Sequence, residues 1–396
     1  MKTNKNILNK VPLDEAVELL KKLVSIKTVN PPGKEIVLKP IIVEAAKKID
    51  GKLEIVQGAK GRANFIIKIG EGFPSIGFFP HLDTVPAGDG WKTDPFKPVI
   101  KGGKLYARGS VDSKGNYASS WAAIRTFLDR NKKFKGTIYL VGFADEETGS
   151  DLGSHYLLKK GFRVDYAIVP DGGFIDKIIT GEKGVIRLRF KSFGKQAHGS
   201  APERGINAVE NLIKALHKFT EIRFEELSFH EAFDGITKNI GTIKGGHAVN
   251  IVPAYAEAEI DIRIPLGVTK KQILDLIKKA MKELTLEQKK KGVKIEIEET
   301  LSLDPHLTES DSILIKAFMD SSRELGLKMR SGTMGGITDA KPLSFAEIET
   351  LVHSLDDGSH SAHNANEYVK LENIRIAAAL YCLTLERILE KKQENH

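Results

Sequence analysis

Pro80-His81-Leu82-Asp83-Thr84-Val85-Pro86 is the stretch on which the reading of this chain turns. It follows Ser75-Ile76-Gly77-Phe78-Phe79, a short apolar run of the kind that forms a buried strand. His81 and Asp83 stand two residues apart, so on an extended chain their side chains point to the same side. An imidazole beside a carboxylate at a strand end is either a metal ligand with the carboxylate that orients it, or a polar pair of no chemical consequence. What the rest of the chain places nearby separates the two readings.

Working outward, Leu13, Ala16, Val17, Leu20 and Val24 recur at helical spacing, with Asp14 and Glu15 in the first turn. Thr28-Val29-Asn30-Pro31-Pro32-Gly33 ends that helix, and a second begins near Lys34. Strand-like runs at 53–56, 64–69, 137–143 and 166–169 alternate with helical patterns at 116–128 and 152–160. Such alternation predicts an α/β domain, a mostly parallel sheet covered by helices, whose strands deliver polar groups to one crevice at their carboxyl ends. The pattern changes near Gly181: 185–192 and 294–298 alternate as strands, 255–264 is strand-like, and 206–219 and 269–286 are helical. This predicts a smaller α+β domain with an antiparallel sheet, inserted over 182–300 between catalytic-domain segments 1–181 and 301–396. A final amphipathic helix is expected over 371–389.

Acidic residues return at predicted strand ends and in Gly-bearing loops. Asp112 lies in Arg108-Gly109-Ser110-Val111-Asp112-Ser113-Lys114-Gly115, and Glu146 and Glu147 in Ala144-Asp145-Glu146-Glu147-Thr148-Gly149. Asp171 precedes Gly172-Gly173, and Ser361-Ala362-His363-Asn364-Ala365-Asn366-Glu367 comes near the end. Singly, each is commonly a turn residue or a solvated carboxylate. Together, most follow strands on the same expected edge of one sheet, and that favours a metal site.

Composition removes several classes. The chain of 396 residues is 41% hydrophobic and 28% charged, with a formal net charge of +8. Its Lys residues are scattered among Glu without an Arg–aromatic cluster, so no nucleic-acid partner is expected. Abundant Lys and Glu with a single Cys resemble a thermophile's surface chemistry. Cys382 is expected in the core of the last helix. No apolar run reaches membrane-spanning length and no leader pattern opens the chain, so a soluble, cytoplasmic protein without a membrane partner is expected.

The ordered motifs His-x-Asp-x-Val-Pro, Gly-x-x-Asp-x-Lys-Gly, Asp-Glu-Glu, a strand-end Asp and Ala-His-x-x-Asn-Glu resemble the co-catalytic zinc peptidases. That family includes acetylornithine deacetylase, succinyl-diaminopimelate desuccinylase, aminoacylase, carboxypeptidase G and bacterial dipeptidases. The resemblance covers essentially the whole chain. It implies two divalent metal ions, zinc first, with cobalt or manganese compatible with the same mixed ligands. His81 and Asp171 would hold one, Glu147 and His363 the other, and Asp112 would bridge them. Glu146 would be the general base and Asp83 would support His81. Gly194-Lys195-Gln196-Ala197-His198-Gly199-Ser200 resembles the segment whose histidine reaches a partner subunit's site, so His198 would stabilise the oxyanion and the enzyme would be a homodimer joined through the inserted domain. Asn250, Arg263 and the Gly335-Gly336-Ile337-Thr338-Asp339 loop match positions near the substrate, Gly335, Gly336 and Thr338 among them; an Arg fork can grip a carboxylate by two bonds.

His360 lies close to His363, and the Ala-His-x-x-Asn-Glu match selects His363. Asp at 171 fits deacetylase-like and dipeptidase-like members better than a desuccinylase. Val85-Pro86-Ala87-Gly88-Asp89-Gly90-Trp91 and Gly181-Glu182-Lys183-Gly184 look like the dipeptidase branch, although this chain is shorter than those enzymes. The expected function is hydrolysis of the amide bond of a small N-acyl amino acid by metal-activated water. A dipeptidase or carboxypeptidase acting on short peptides is the alternative, and a catalytically silent dimeric binding protein the remote one. A silent relative should have lost a ligand or the base, and none is missing here.

Overall fold

A computed structural model describes residues 5–224, 226–290 and 292–390. The chain divides into two compact units. One comprises Met1–Gly181, Thr308–Gly332 and Gly336–His396, and the other Glu182–Leu307 with Thr333–Gly335.

The first unit is built on a mixed sheet. Its middle strands run in the order Gly136–Gly142, Ser75–Phe78, Tyr166–Val169 and Glu349–Val352, each parallel to its neighbour. Ile76, Phe78, Ile138, Leu140, Ile168 and Leu351 are buried, as strands covered on both faces require. The parallel sheet expected from the alternation of elements is this middle portion. Antiparallel strands flank it: Arg62–Glu71 and Lys52–Ala59 on one side, and Lys177–Glu182 through the Val352–Ile179 pairing on the other. The helices Leu13–Val24, Lys114–Arg130, Ile313–Glu324 and Leu371–Glu390 share one apolar core with the sheet, Cys382 included. Among the described residues, no helix is long and apolar enough to cross a membrane.

The second unit is an antiparallel sheet ordered Thr237–Gly245, Tyr255–Ile264, Gly184–Phe193, Lys294–Leu303. Its strands alternate because only one face is covered: Ile186, Leu188, Phe190 and Ile260 pack against Leu212, Phe219, Ile273 and Ile277 of the helices Ala208–Glu221 and Lys270–Lys290. The other face is charged, with Arg189 paired to Glu259 and Lys191 to Glu298. The last of these strands shifts register between Glu299 and Leu301 and stays paired as far as Leu303 opposite Val185, and the unit runs to Leu307 rather than to residue 300. Asn207 sets the start of the first helix, its side chain accepting from the N–H groups of Val209 and Glu210.

His353 follows the Glu349–Val352 strand and is fully buried. Its Nε2 lies 3.1 Å from the Ile175 carbonyl and its Nδ1 2.9 Å from the Tyr381 hydroxyl. A carbonyl only accepts, so Nε2 carries the proton and the neutral ring is satisfied. Burial pushes its pKa down to about 4. The unfolded chain therefore binds the extra proton between about pH 6.5 and pH 4, and this contribution, on the order of 3 kcal/mol, is complete above that window and lost as pH falls through it. His353→Gln should be less stable than wild type at pH 7, with the difference shrinking toward pH 4 in urea unfolding. A gap constant across that range would show that His353 does not titrate with folding.

Candidate active site

The site forms where the parallel strands end. His81 makes a parallel bridge with Phe143, so the turn after Gly136–Gly142 is carried alongside the turn after Ser75–Phe78. Asp171 follows Tyr166–Val169, the strand on the other side. These carboxyl ends meet at one edge, as ligand sites in parallel sheets do. Asp112 and His363 arrive from loops instead. Lys104–Tyr106 pairs with Tyr368–Lys370, and the Ala107 N–H donates to the Glu367 carbonyl, which lays the Asp112 loop beside the His363 loop. The Asp112 loop folds tightly over its own helix: a Cβ at Gly115 would stand 2.0 Å from the Ser110 carbonyl oxygen.

His81 Nε2 lies 2.8 Å from Asp112 Oδ1 and 4.0 Å from Asp171 Oδ1. His363 Nε2 lies 2.9 Å from Asp112 Oδ2 and 3.2 Å from Glu147 Oε2. Asp112 thus faces one imidazole with each oxygen. His81, Asp112 and Glu147 bring ligand atoms within 4.8 Å of one another, and so do His81, Glu146 and Asp171. His360, by contrast, presents its ring edge-on to Phe174 at 5.4 Å.

The electrostatics describe a place short of positive charge. Burial, with the nearby Asp112, Asp339 and Glu147 carboxylates, pushes Asp171 up to about 7. Burial likewise raises Glu146 well above the carboxylate range, with Asp171 adding to the effect. Asp112 is desolvated too, yet the His363 and His81 rings hold it far below its usual value. His363 is pushed up to about 10 by Asp112 and Glu147. Crowded carboxylates and imidazoles drawn into cationic form mark a donor set that a divalent cation fits, oxygen and nitrogen ligands together. His81, Asp112, Glu147 and Asp171 are therefore candidate metal-binding residues.

Behind them stands Asp83, fully buried, at 3.5 Å from His81 Nδ1 and accepting from the Glu146 and Glu147 N–H groups at 3.2 Å each. Desolvation works against its charge, but the His81 ring, the Asn30 amide and the Glu147 N–H hold its pKa below the usual value. Glu367, quoted only as the end of a motif, proves to be the clamp of the Asp112 loop. Its buried carboxylate accepts from Arg108 Nη1 at 2.7 Å and from the N–H groups of Gly109, Val111 and Asp112 at 3.0, 2.9 and 3.1 Å. Asp339 was also passed over; it is buried and accepts from the Ser154 hydroxyl at 2.5 Å. A carboxylate late in a Gly-bearing motif was the only sequence signal for either.

The substrate set expected from the sequence is distributed between the units. Gly336 and Thr338 belong to the first, where the Thr338 hydroxyl accepts from the Ala340 N–H at 3.1 Å. His198, Asn250, Arg263 and Gly335 belong to the second. There His198 is exposed, with Nδ1 2.7 Å from the Ser200 hydroxyl, and the Asn250 carbonyl accepts from the Gly199 N–H. The Arg263 fork is engaged by Asp261 at 2.6 and 3.2 Å, while its Nη1 donates to the Gly335 carbonyl at 2.9 Å.

A sheet edge carrying this cluster of histidines and carboxylates is a candidate metal centre. Residues 77–387 match the peptidase family M20/M25/M40, and the chain belongs to that family. It is 32% identical to an uncharacterized metallohydrolase of Methanocaldococcus jannaschii, over 93% of this chain and 98% of that one. It is 30% identical to a succinyl-diaminopimelate desuccinylase of Nautilia profundicola over the same shares of the two chains. A tripeptidase structure from Staphylococcus aureus superposes with a TM-score of 0.78 at 20% identity, covering 96% of this chain and 99% of the other, a likeness of fold.

Glu367→Ala would leave the buried Arg108 charge without its carboxylate and free three backbone N–H groups. It should lower unfolding stability by about 3–5 kcal/mol. It should also weaken metal uptake about 10–100-fold, measured by equilibrium dialysis, because the loop carrying Asp112 loses its anchor. Wild-type values for both would show that Glu367 does not hold the loop.

Proposed function

We propose that this protein hydrolyses the amide bond of a small N-acyl amino acid, of the kind cleaved by acetylornithine deacetylase or succinyl-diaminopimelate desuccinylase. The reading is carried by one observation: Asp112 sits between His81 and His363 within hydrogen-bond distance of both, with Glu147 and Asp171 beside them. The names of curated relatives supply the substrate class. In this reading His81 and Asp171 would hold one divalent ion and Glu147 and His363 a second, with Asp112 shared between them. Zinc suits the ligand set best, with cobalt and manganese as substitutes. The bound ions would lower the pKa of a water and polarise the scissile carbonyl.

The chain's own groups do the rest. Glu146 takes the proton from the attacking water and delivers it to the leaving amine. Asp83 fixes the His81 ring and the backbone of both glutamates. Arg263 and the Gly335–Thr338 loop would recognise the substrate carboxylate, which requires Asp261 to share or release its grip on the Arg263 fork. His198, supplied by the partner subunit of a homodimer formed through the inserted unit, would stabilise the oxyanion.

Glu146→Gln should lower kcat by about 10²–10⁴ while metal content stays at the wild-type level; retained turnover removes Glu146 as the base. His198→Ala should cost about 10²–10³ in kcat without changing the sedimentation of the dimer. A variant dimer as active as wild type would end the shared-site proposal. Substrate class is read from released amine with zinc- or cobalt-loaded enzyme, N-acetylornithine and N-succinyl-diaminopimelate being set beside dipeptides and N-blocked amino acids. Preference for an acylated diamino acid supports the deacylase, and preference for peptides replaces it with the dipeptidase or carboxypeptidase.

A further inference from the structure

We propose that Asn30 is a positioning residue that ties the Glu146–Glu147 turn to Asp83 and so places the base and one metal ligand together. The inference rests on the roles just given to those two glutamates. Asn30 lies at the end of the first helix–loop segment, in Thr28-Val29-Asn30-Pro31-Pro32-Gly33, where nothing in its spacing points to the site. In the fold, Val29 bridges in parallel to Thr84, and the Asn30 N–H donates to the Thr84 carbonyl at 2.9 Å. This lays the segment directly behind His81 and Asp83.

The Asn30 side chain is buried, and its Nδ2 meets acceptors from both halves of the site. It stands 2.8 Å from Asp83 Oδ2, 2.9 Å from Thr148 Oγ1 and 3.2 Å from Asp145 Oδ1. The orientation of the amide follows from its neighbours: with carboxylates on two sides, only the NH₂ end can face them. The Thr148 hydroxyl donates to Asp145 Oδ1 at 2.7 Å, which leaves its lone pair for Asn30. Asp145 is held from the far side as well, with its Oδ1 2.9 Å from Arg62 Nη2 and its Oδ2 accepting from the Leu152 N–H at 3.1 Å. Arg62 is in turn fixed by Glu35 in a two-pronged pair. Asp145 adopts a left-handed backbone, φ 71°, and its peptide leads straight into Glu146.

Magnitudes say why the amide matters. The two N–H groups of the turn reach Asp83 at 3.2 Å each, the long end of the hydrogen-bond range. Asn30 supplies the shorter link as a neutral donor, its two amide hydrogens serving Asp83 at 2.8 Å and Thr148 at 2.9 Å with Asp145 at 3.2 Å. Aspartate at 30 would add a third negative charge there, and alanine would leave Asp83 and Asp145 facing each other without a donor between them. A displacement of a catalytic group by about 1 Å costs about 10²-fold in rate.

The test uses the full-length enzyme loaded with Co²⁺, whose visible spectrum reports ligand geometry, together with kcat, KM and a two-site cobalt titration. Asn30→Ala should lower kcat about 10²-fold with KM within about 3-fold. It should also weaken one of the two cobalt equivalents about 10–100-fold and change its spectrum, the other equivalent being kept. Thr148→Val, at an exposed position, removes the shorter of the two links between Asn30 and the turn, leaving the 3.2 Å contact to Asp145, without entering the core. It should show the same pattern at about a tenth of the size, and it carries the test if Asn30→Ala does not fold. Variants that bind both equivalents with wild-type affinity and spectrum and keep kcat within about 3-fold overturn the inference, whatever their melting temperatures. Wild-type enzyme that takes up fewer than two equivalents, or hydrolyses nothing when loaded, overturns the underlying two-metal reading and this inference with it, and needs no variant to show it.

Discussion

Asp83 is a carboxylate with no exposure to solvent, and the arrangement of the site depends on satisfying it. A buried charge costs several kcal/mol unless hydrogen bonds replace its water. Here the hydrogen bonds come from the Asn30 amide and the N–H groups of Glu146 and Glu147, and the His81 ring stands 3.5 Å away with its Nδ1 3.1 Å from the Asp83 carbonyl. Each of these partners is thereby fixed relative to the others. The same carboxylate that steadies an imidazole on one strand end also sets the turn on the next, so the ring and the two glutamates are located by one electrostatic requirement.

Glu367 repeats the device on the opposite side. Its buried carboxylate is satisfied by Arg108 and by the N–H groups of the Asp112 loop, and it comes from the segment that carries His363. Burial and the nearby Asp112 charge push it up to about 7, against the lowering by Arg108 and the Val111 and Gly109 N–H groups. Between these two fixed carboxylates lie Asp112, Glu147 and Asp171, which share two imidazoles among three carboxylates. The frame is stable through hydrogen bonds, and the charge deficit is concentrated where a divalent cation fits.

The two units show how covering a sheet decides its sequence. Strands buried on both faces read as unbroken apolar runs, and those of the first unit end in polar residues because only their ends reach the crevice. The second unit covers one face with helices, so its strands alternate and its outer face pairs Arg189 and Lys191 with glutamates of neighbouring strands. That contrast made the change of architecture near Gly181 visible in sequence, since periodicity follows directly from which faces are buried. The extension of the second unit to Leu307 was not visible, because it depends on the register of a strand with a partner about a hundred residues earlier.

The sequence by itself determined the α/β class, the change to an antiparallel unit, and the set of histidines and carboxylates that meet at one sheet edge. Local periodicity carries the first two, and strand-end placement with ordered motifs carries the third. The motif already selected His363 over His360, and the tertiary structure supplied the geometry, His363 turned toward Asp112 and His360 against Phe174. Only the tertiary structure showed that Glu367 clamps the Asp112 loop, that Asn30 reaches behind Asp83, and that Asp261 occupies the Arg263 fork. The reason is physical: a buried polar group is defined by the partners that replace its water, and here most of those partners lie far away along the chain.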